Sequence, residues 1–230
     1  MSANDALHDL LEDQRIGQDS DEITEMQEHR AAIETIINDA FPSTDKTIKY
    51  GGSKAKGTMI LESYDLDIIV YVHHGEDGLG ITLKDIYENI ADALEEDYHV
   101  ERKNSALRLS ARTNDSETED LHIDVVPRRY VDDTCSDAYL HQNEGNKERL
   151  KTNLQTHIDH IKNCEGRDTL KLLKLIRVRH DLEMKQFAMD LLGVDLLESK
   201  AGETLEGQLT HVLESIRDSD GPLSMFSGSH

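Results

Sequence analysis

GSKAKGT (residues 52–58) precedes DLDIIVYV (residues 65–72), and these two stretches decide the fold. The second is short, apolar and rich in β-branched residues, which predicts a β-strand. Side chains alternate along a strand, so Asp65 and Asp67 are expected on one face. Two carboxylates on one face repel each other unless a cation neutralises them. Mg²⁺, or Mn²⁺, is the expected cation, because Mg²⁺ prefers oxygen ligands and often shares them with substrate phosphates.

The turn before this strand is suited to binding phosphate. Gly52 and Gly57 allow the backbone to approach an anion closely. Ser53 offers a hydroxyl and a backbone amide as donors. If residues 54–60 form a helical turn, its N-terminus faces the phosphates favourably.

A third carboxylate, Asp124, lies in LHIDVVP (residues 121–127), which predicts a second strand that Pro127 ends. Three carboxylates on neighbouring strands are what two-metal phosphoryl transfer requires. In that arrangement Asp124 would bind the metal at the nucleophile and act as its general base.

The remaining periodicity predicts strands first and helices last, which is an α/β (α+β) architecture with a mixed sheet. The predicted strands are 47–50, 65–72, 107–112 and 121–126. The predicted helices are 22–41, 82–95, 147–164, 168–180, 183–197 and 203–216. Thr82 and Asp85 are expected to form a capping box at the second of these helices.

The 230 residues, with a mass of 26.0 kDa, suffice for one large domain or two small ones. There are 47 acidic residues against 25 Lys and Arg, which gives a net charge of −22. Such a surface repels nucleic-acid backbones and anionic membranes, so it disfavours a protein that tracks long RNA or DNA. The sequence has no apolar stretch long enough to span a bilayer. Two cysteines make no disulfide framework, which favours a reducing cytoplasm.

The segment GGSKAKGTMILESYDLDIIVYV, together with LHIDVVP, resembles the signature of polymerase-β-type nucleotidyltransferases. DTLKLLKLIRVRH (168–180) and QFAMDLLGVDLLE (186–198) resemble helices of the oligoadenylate synthase branch. That branch includes cyclic GMP-AMP synthase and the bacterial and archaeal second-messenger nucleotidyltransferases. The resemblance covers roughly residues 22–216. Outside that range, the acidic and weakly patterned residues 1–21 are expected to form a loose arm or a short helix, and residues 223–230 a flexible tail. The change from mixed strands and helices to helices alone places a domain boundary near residue 130. The resemblance implies that 22–130 is a palm-like nucleotidyltransferase domain and 131–222 a helical domain, with an active cleft between the two.

The resemblance also implies roles for individual residues. Asp65, Asp67 and Asp124 match the metal ligands. Gly52, Ser53 and Lys174 match positions at the donor triphosphate. Gln186 and Phe187 match positions near a nucleotide base, where Phe187 would stack on the base or, alternatively, belong to the core.

The sequence leaves three functions open. The first is synthesis of a cyclic or linear oligonucleotide second messenger from NTPs, with ATP the expected substrate, in the cytoplasm and in antiviral defence. The second is an RNA-end nucleotidyltransferase of the poly(A) or tRNA CCA-adding type, which would need a local basic groove despite the acidic surface. The third is a nucleotide-binding regulator without turnover. The complete set of three carboxylates argues against the third, because clustered acids without a cation are costly.

Overall fold

The computed structural model describes residues 2–112 and 121–218 and divides the chain into two compact units. The helical unit comprises residues 2–16, 56–63 and 156–218, and the sheet unit comprises the described residues between 17 and 55 and between 64 and 155. The predicted tail at 223–230 lies outside the described residues. None of the helices within 2–112 and 121–218 combines the length and apolarity that crossing a membrane requires.

Eight α-helices and seven strands make up the described chain. The helices are α1 Ala3–Asp13, α2 Asp21–Ala40, α3 Gly52–Lys56, α4 Leu83–Leu94, α5 Leu154–Lys162, α6 Arg167–Arg179, α7 Gln186–Leu197 and α8 Leu205–Asp218. The strands are β1 Lys46–Tyr50, β2 Leu66–Val72, β3 Tyr98–Arg102, β4 Leu107–Ala111, β5 Ile123–Tyr130, β6 Ala138–His141 and β7 Arg149–Thr152.

The strands form one mixed sheet in the order β1-β2-β5-β4-β3; β6 pairs with the last residues of β5, and β7 pairs with β6. Among the strands of the described residues, only β2 and β5 pair in parallel. Leu66, Ile68, Val70 and Val72 of β2 are completely buried, as expected for the centre of a sheet. Helix α4 packs against β5, and α2 packs against β2 and α4. The predicted α+β class with a mixed sheet is therefore confirmed.

The well-patterned elements form where the sequence predicts them. Helix α2 ends at the cap residue Phe41, and β1 and β2 match their predicted ranges within one residue. The capping box of α4 is present: the Asp85 amide donates to the Thr82 hydroxyl at 3.1 Å, and the Thr82 amide donates to the Asp85 carboxylate at 2.8 Å.

Pro127 does not end its strand, contrary to the prediction. On the side of β5 away from β2, β4 pairs only as far as Val125, and β6 pairs from Arg129 onward. Pro127 lies in the gap between these two neighbours. Its missing N–H therefore breaks no ladder hydrogen bond on that side.

The chain between residues 131 and 152 forms strands, although the sequence predicts helix from 147. Strands β6 and β7 continue the sheet to Thr152, and α5 begins only at Leu154. Strand β3 is also absent from the predicted elements. The predicted arm at 1–21 contains helix α1, whose capping box is formed by Ser2 and Asp5.

The helical unit has its own core, formed where α5, α6, α7 and α8 meet. The buried residues of this core are Ile161, Leu170, Leu173, Met189, Val194, Leu197 and Val212. Helix α1 packs against α8 and α6. The N-terminal helix and the C-terminal helices thus belong to the same unit.

Candidate active site

Two of the three predicted carboxylates lie side by side in the sheet unit. Asp67 on β2 and Asp124 on β5 are direct partners in the parallel register, so their side chains project from the same face. Asp65 immediately precedes β2 and lies two residues before Asp67, so in extended backbone the two side chains project to the same side. The Leu66 amide donates to the His122 carbonyl at 2.8 Å, which continues the pairing of the two strands to this end of the sheet.

The glycine turn packs directly on one of these carboxylates. The Gly51 amide donates to the Asp67 carbonyl at 2.8 Å, and α3 begins at Gly52. Gly52 has a φ of +50°, in the left-handed region that favours glycine. A β-carbon at this position would overlap the carboxylate of Asp67. The turn that carries Ser53 and the strand that carries Asp67 are therefore closely packed.

We expect Gly52→Ala to lower any nucleotidyl transfer by about a hundredfold while the protein stays folded. The new methyl group must push the Asp67 side chain aside, and a misplacement of about 1 Å at a reacting centre can cost about that factor. The rate of pyrophosphate release from NTP, with circular dichroism as a check on folding, measures this effect.

Gly75→Ala is the matched control for this substitution. Gly75 also has a positive φ, +80°, but a β-carbon there would meet no atom within 4 Å. It carries the backbone strain of an alanine in the left-handed region without the overlap. Equal activity in the two variants would show that the contact between Gly52 and Asp67 is irrelevant to function.

Asp124 is held by a guanidinium that the sequence analysis did not single out. Arg108 on β4 is the register partner of Asp124, and its Nε and Nη2 donate to Oδ1 and Oδ2 at 2.9 and 2.7 Å. These hydrogen bonds raise the pKa of the Arg108 guanidinium, and the charges of Asp124 and Asp65 add to the effect. At the other end of the set, His122 Nδ1 lies 3.5 Å from Asp65 Oδ1.

The residues present fit a hard divalent cation by donor chemistry. Asp65, Asp67 and Asp124 supply only carboxylate oxygens, the ligands that Mg²⁺ and Mn²⁺ prefer. Across residues 2–112 and 121–218, however, no three His, Cys, Asp or Glu side chains are grouped closely enough to hold a metal ion. Both oxygens of Asp124 are instead engaged by the bidentate contact with Arg108.

Lys174 belongs to the helical unit, where it lies on α6 with only 4% of its surface exposed. Its ammonium group donates to the Ser63 carbonyl at 2.6 Å. Ser63 immediately precedes Tyr64 and the carboxylate segment in sequence. A triphosphate that bound Lys174 would therefore have to share the ammonium group with this carbonyl or displace it.

The two residues predicted near a nucleotide base differ in their surroundings. The Gln186 side chain donates to Asp190 Oδ1 at 2.6 Å and accepts from Arg177 Nε at 3.0 Å. Phe187 is 47% exposed, and its ring meets that of His157 edge to face at 5.1 Å. Phe187 is thus not a core residue, and the Lys56 ammonium also lies over its ring, 6.0 Å from the centroid.

A buried ion pair connects α3 with α7. Lys56 Nζ lies 2.9 Å from Asp190 Oδ2, and the Asp190 side chain is 2% exposed. No local pattern indicates this pair, because the two residues are 134 positions apart.

No protein-family model and no curated protein matches the chain, whereas solved structures do. The GTP complex of the CD-NTase CdnG from Bradyrhizobium diazoefficiens has a TM-score of 0.68 at 12% identity, over 92% of this chain and 75% of that one. CdnC of E. coli MS115-1 with ATP has a TM-score of 0.65 at 19% identity, over 93% and 71%. The CdnE cyclic dinucleotide synthase of Elizabethkingia meningoseptica, with GTP and Apcpp, has a TM-score of 0.64 at 16% identity, over 83% and 76%.

These matches span both units of the chain at sequence identities below 20%. The chain therefore has the nucleotidyltransferase fold of the CD-NTases, as the resemblance in its sequence predicts.

Proposed function

We propose that this protein is a template-independent nucleotidyltransferase that makes a cyclic or linear oligonucleotide from NTPs and releases pyrophosphate. The observation that carries the proposal is the register of Asp67 with Asp124 beside the Gly52–Ser53 turn. The CD-NTase fold supports it, and the nucleotides in the CdnG, CdnC and CdnE structures support NTPs as the substrate class. A role in antiviral signalling is part of the same proposal.

In this mechanism Asp65, Asp67 and Asp124 would hold Mg²⁺ or Mn²⁺. When bound, the metal supplies charge neutralisation for the phosphates and lowers the pKa of an attacking hydroxyl. Asp124 accepts the proton of that hydroxyl as general base. Ser53 donates its hydroxyl and its backbone amide to the triphosphate and orients it for attack.

Lys174 and Phe187 would complete nucleotide binding. The Lys174 ammonium contributes positive charge to the triphosphate and stabilises the pyrophosphate as it leaves. Phe187 stacks on a base, an interaction that tolerates different bases because each has a π-face.

Incubation with each radiolabelled NTP, with and without RNA, tests the proposal. Small phosphatase-resistant products formed with Mg²⁺ and without RNA are the expected result. Extension of an RNA end would favour the poly(A) or CCA-adding reading instead. Nucleotide binding without a product in any combination would favour a regulator and contradict the proposal.

A further inference from the structure

We propose that Arg108 is a positioning residue that competes with the divalent ion for Asp124, an inference that rests on the proposed function above. The competition follows from the geometry of the pair. Both oxygens of Asp124 accept a hydrogen bond from the guanidinium, at 2.9 and 2.7 Å. An ion that binds this carboxylate must displace one of these hydrogen bonds or share an oxygen that is already engaged.

The pair is partly shielded from water, so displacing the guanidinium from Asp124 has a free-energy cost. The Asp124 side chain is 19% exposed and that of Arg108 is 36% exposed. A bidentate pair between Arg and a carboxylate is among the stronger polar contacts in proteins, and partial burial reduces its screening by salt. Arg108 therefore lowers the affinity of the carboxylate set for a metal ion when no nucleotide is bound.

Arg108 also has a second acidic neighbour to which it can turn. Glu101 on β3 is its register partner on the other side of β4, so Arg108 lies between Glu101 and Asp124 on one face of the sheet. The Glu101 carboxylate also forms an ion pair with Lys103 Nζ at 2.6 Å, which Arg108 would share. The Arg108 side chain lines a cavity of about 380 Å³ that Glu101 and Ser110 also line.

These contacts define two positions for one side chain. With Arg108 on Asp124, the carboxylate set is incomplete. With Arg108 turned toward Glu101 and the cavity, Asp124 is available to a metal ion. Because the negative triphosphate favours metal binding, the nucleotide biases the side chain toward Glu101, and the metal ion in turn strengthens nucleotide binding.

Direct Mn²⁺ binding to the full chain without nucleotide tests this inference, with free Mn²⁺ quantified by electron paramagnetic resonance. We expect Arg108→Gln to bind Mn²⁺ about fivefold more tightly than the unchanged protein, the order expected for losing a partly exposed charged pair. Glu101→Gln should bind more weakly, since the alternative partner of Arg108 is removed. A merely structural role for Arg108 would leave the affinity the same or lower it.

Lys84→Gln is the control for net charge, because Lys84 is exposed at the start of α4 and is not part of the carboxylate set. It should leave Mn²⁺ affinity unchanged. Arg108→Lys retains the positive charge but cannot donate two hydrogen bonds to Asp124 at once, so we expect an intermediate Mn²⁺ affinity. This variant replaces Arg108→Gln in the test if Arg108→Gln fails to fold. Unchanged or weaker binding in the Arg108 variant that folds overturns the inference. Absence of Mn²⁺ binding by the unchanged protein, with or without an NTP analogue, overturns the proposed function itself.

Discussion

Asp65→Asn combined with Asp67→Asn is expected to lower pyrophosphate release from NTP and Mg²⁺ by about a thousandfold or more. Mutating a residue that only hydrogen-bonds to a metal ligand typically lowers activity or metal affinity by about 10–100-fold, so loss of two ligands should lower activity considerably more. Asparagine retains the shape of the side chain beside Gly52 and removes only the charge.

The same double variant should keep the fold and its thermal midpoint, because it removes like charges that repel each other and forms no cavity. Asp39→Asn with Asp97→Asn is the matched control, since it removes two exposed carboxylates from the same unit. If the Asp65→Asn, Asp67→Asn variant turned over NTP as fast as the control, the two carboxylates would have no role in the mechanism.

Asp190→Ala should destabilise the protein by about 3 kcal/mol. It leaves the buried Lys56 ammonium without its partner, and breaking a buried pair in this way typically costs about 3–5 kcal/mol. It also removes the acceptor of the Gln186 side chain. Urea denaturation followed by circular dichroism measures the change; the chain has no tryptophan for fluorescence.

Asp195→Ala, an exposed position on the same helix, is the control and should change the free energy of unfolding by less than about 0.5 kcal/mol. Lys56→Met combined with Asp190→Leu should recover most of the loss, because apolar residues can replace a buried pair at little cost. If Asp190→Ala costs no more than Asp195→Ala, the pair between α3 and α7 contributes nothing to stability.

The elements that could be predicted from the sequence are those in which burial determines the pattern of apolar residues. Strand β2 is nearly uniform in buried apolar residues, and α4 combines a capping box with an apolar stripe. Asp67 and Asp124 stand out because they interrupt apolar strands. Each is a charged residue in a place where the pattern expects an apolar one.

Contacts between residues that are far apart in sequence could not be predicted. Strand β7 is exposed at the edge of the sheet, so its residues carry no apolar alternation that would distinguish them from a helix start. Arg108 had a weak signal: it alternates with the buried Leu107 and Leu109, which places it on the opposite face of β4. Its pairing with Asp124 depends on strand register, which a single sequence does not give.

The central claim is that Asp65, Asp67 and Asp124 together hold divalent ions beside the glycine turn. The most direct test is anomalous diffraction from crystals of the protein grown with Mn²⁺ and a non-hydrolysable ATP analogue. We predict Mn²⁺ peaks at about 2.0–2.6 Å from oxygens of these carboxylates, with a phosphate oxygen in the same coordination shell. Nucleotide bound without Mn²⁺ at these side chains, or Asp124 still paired with Arg108 while Mn²⁺ lies elsewhere, would contradict it.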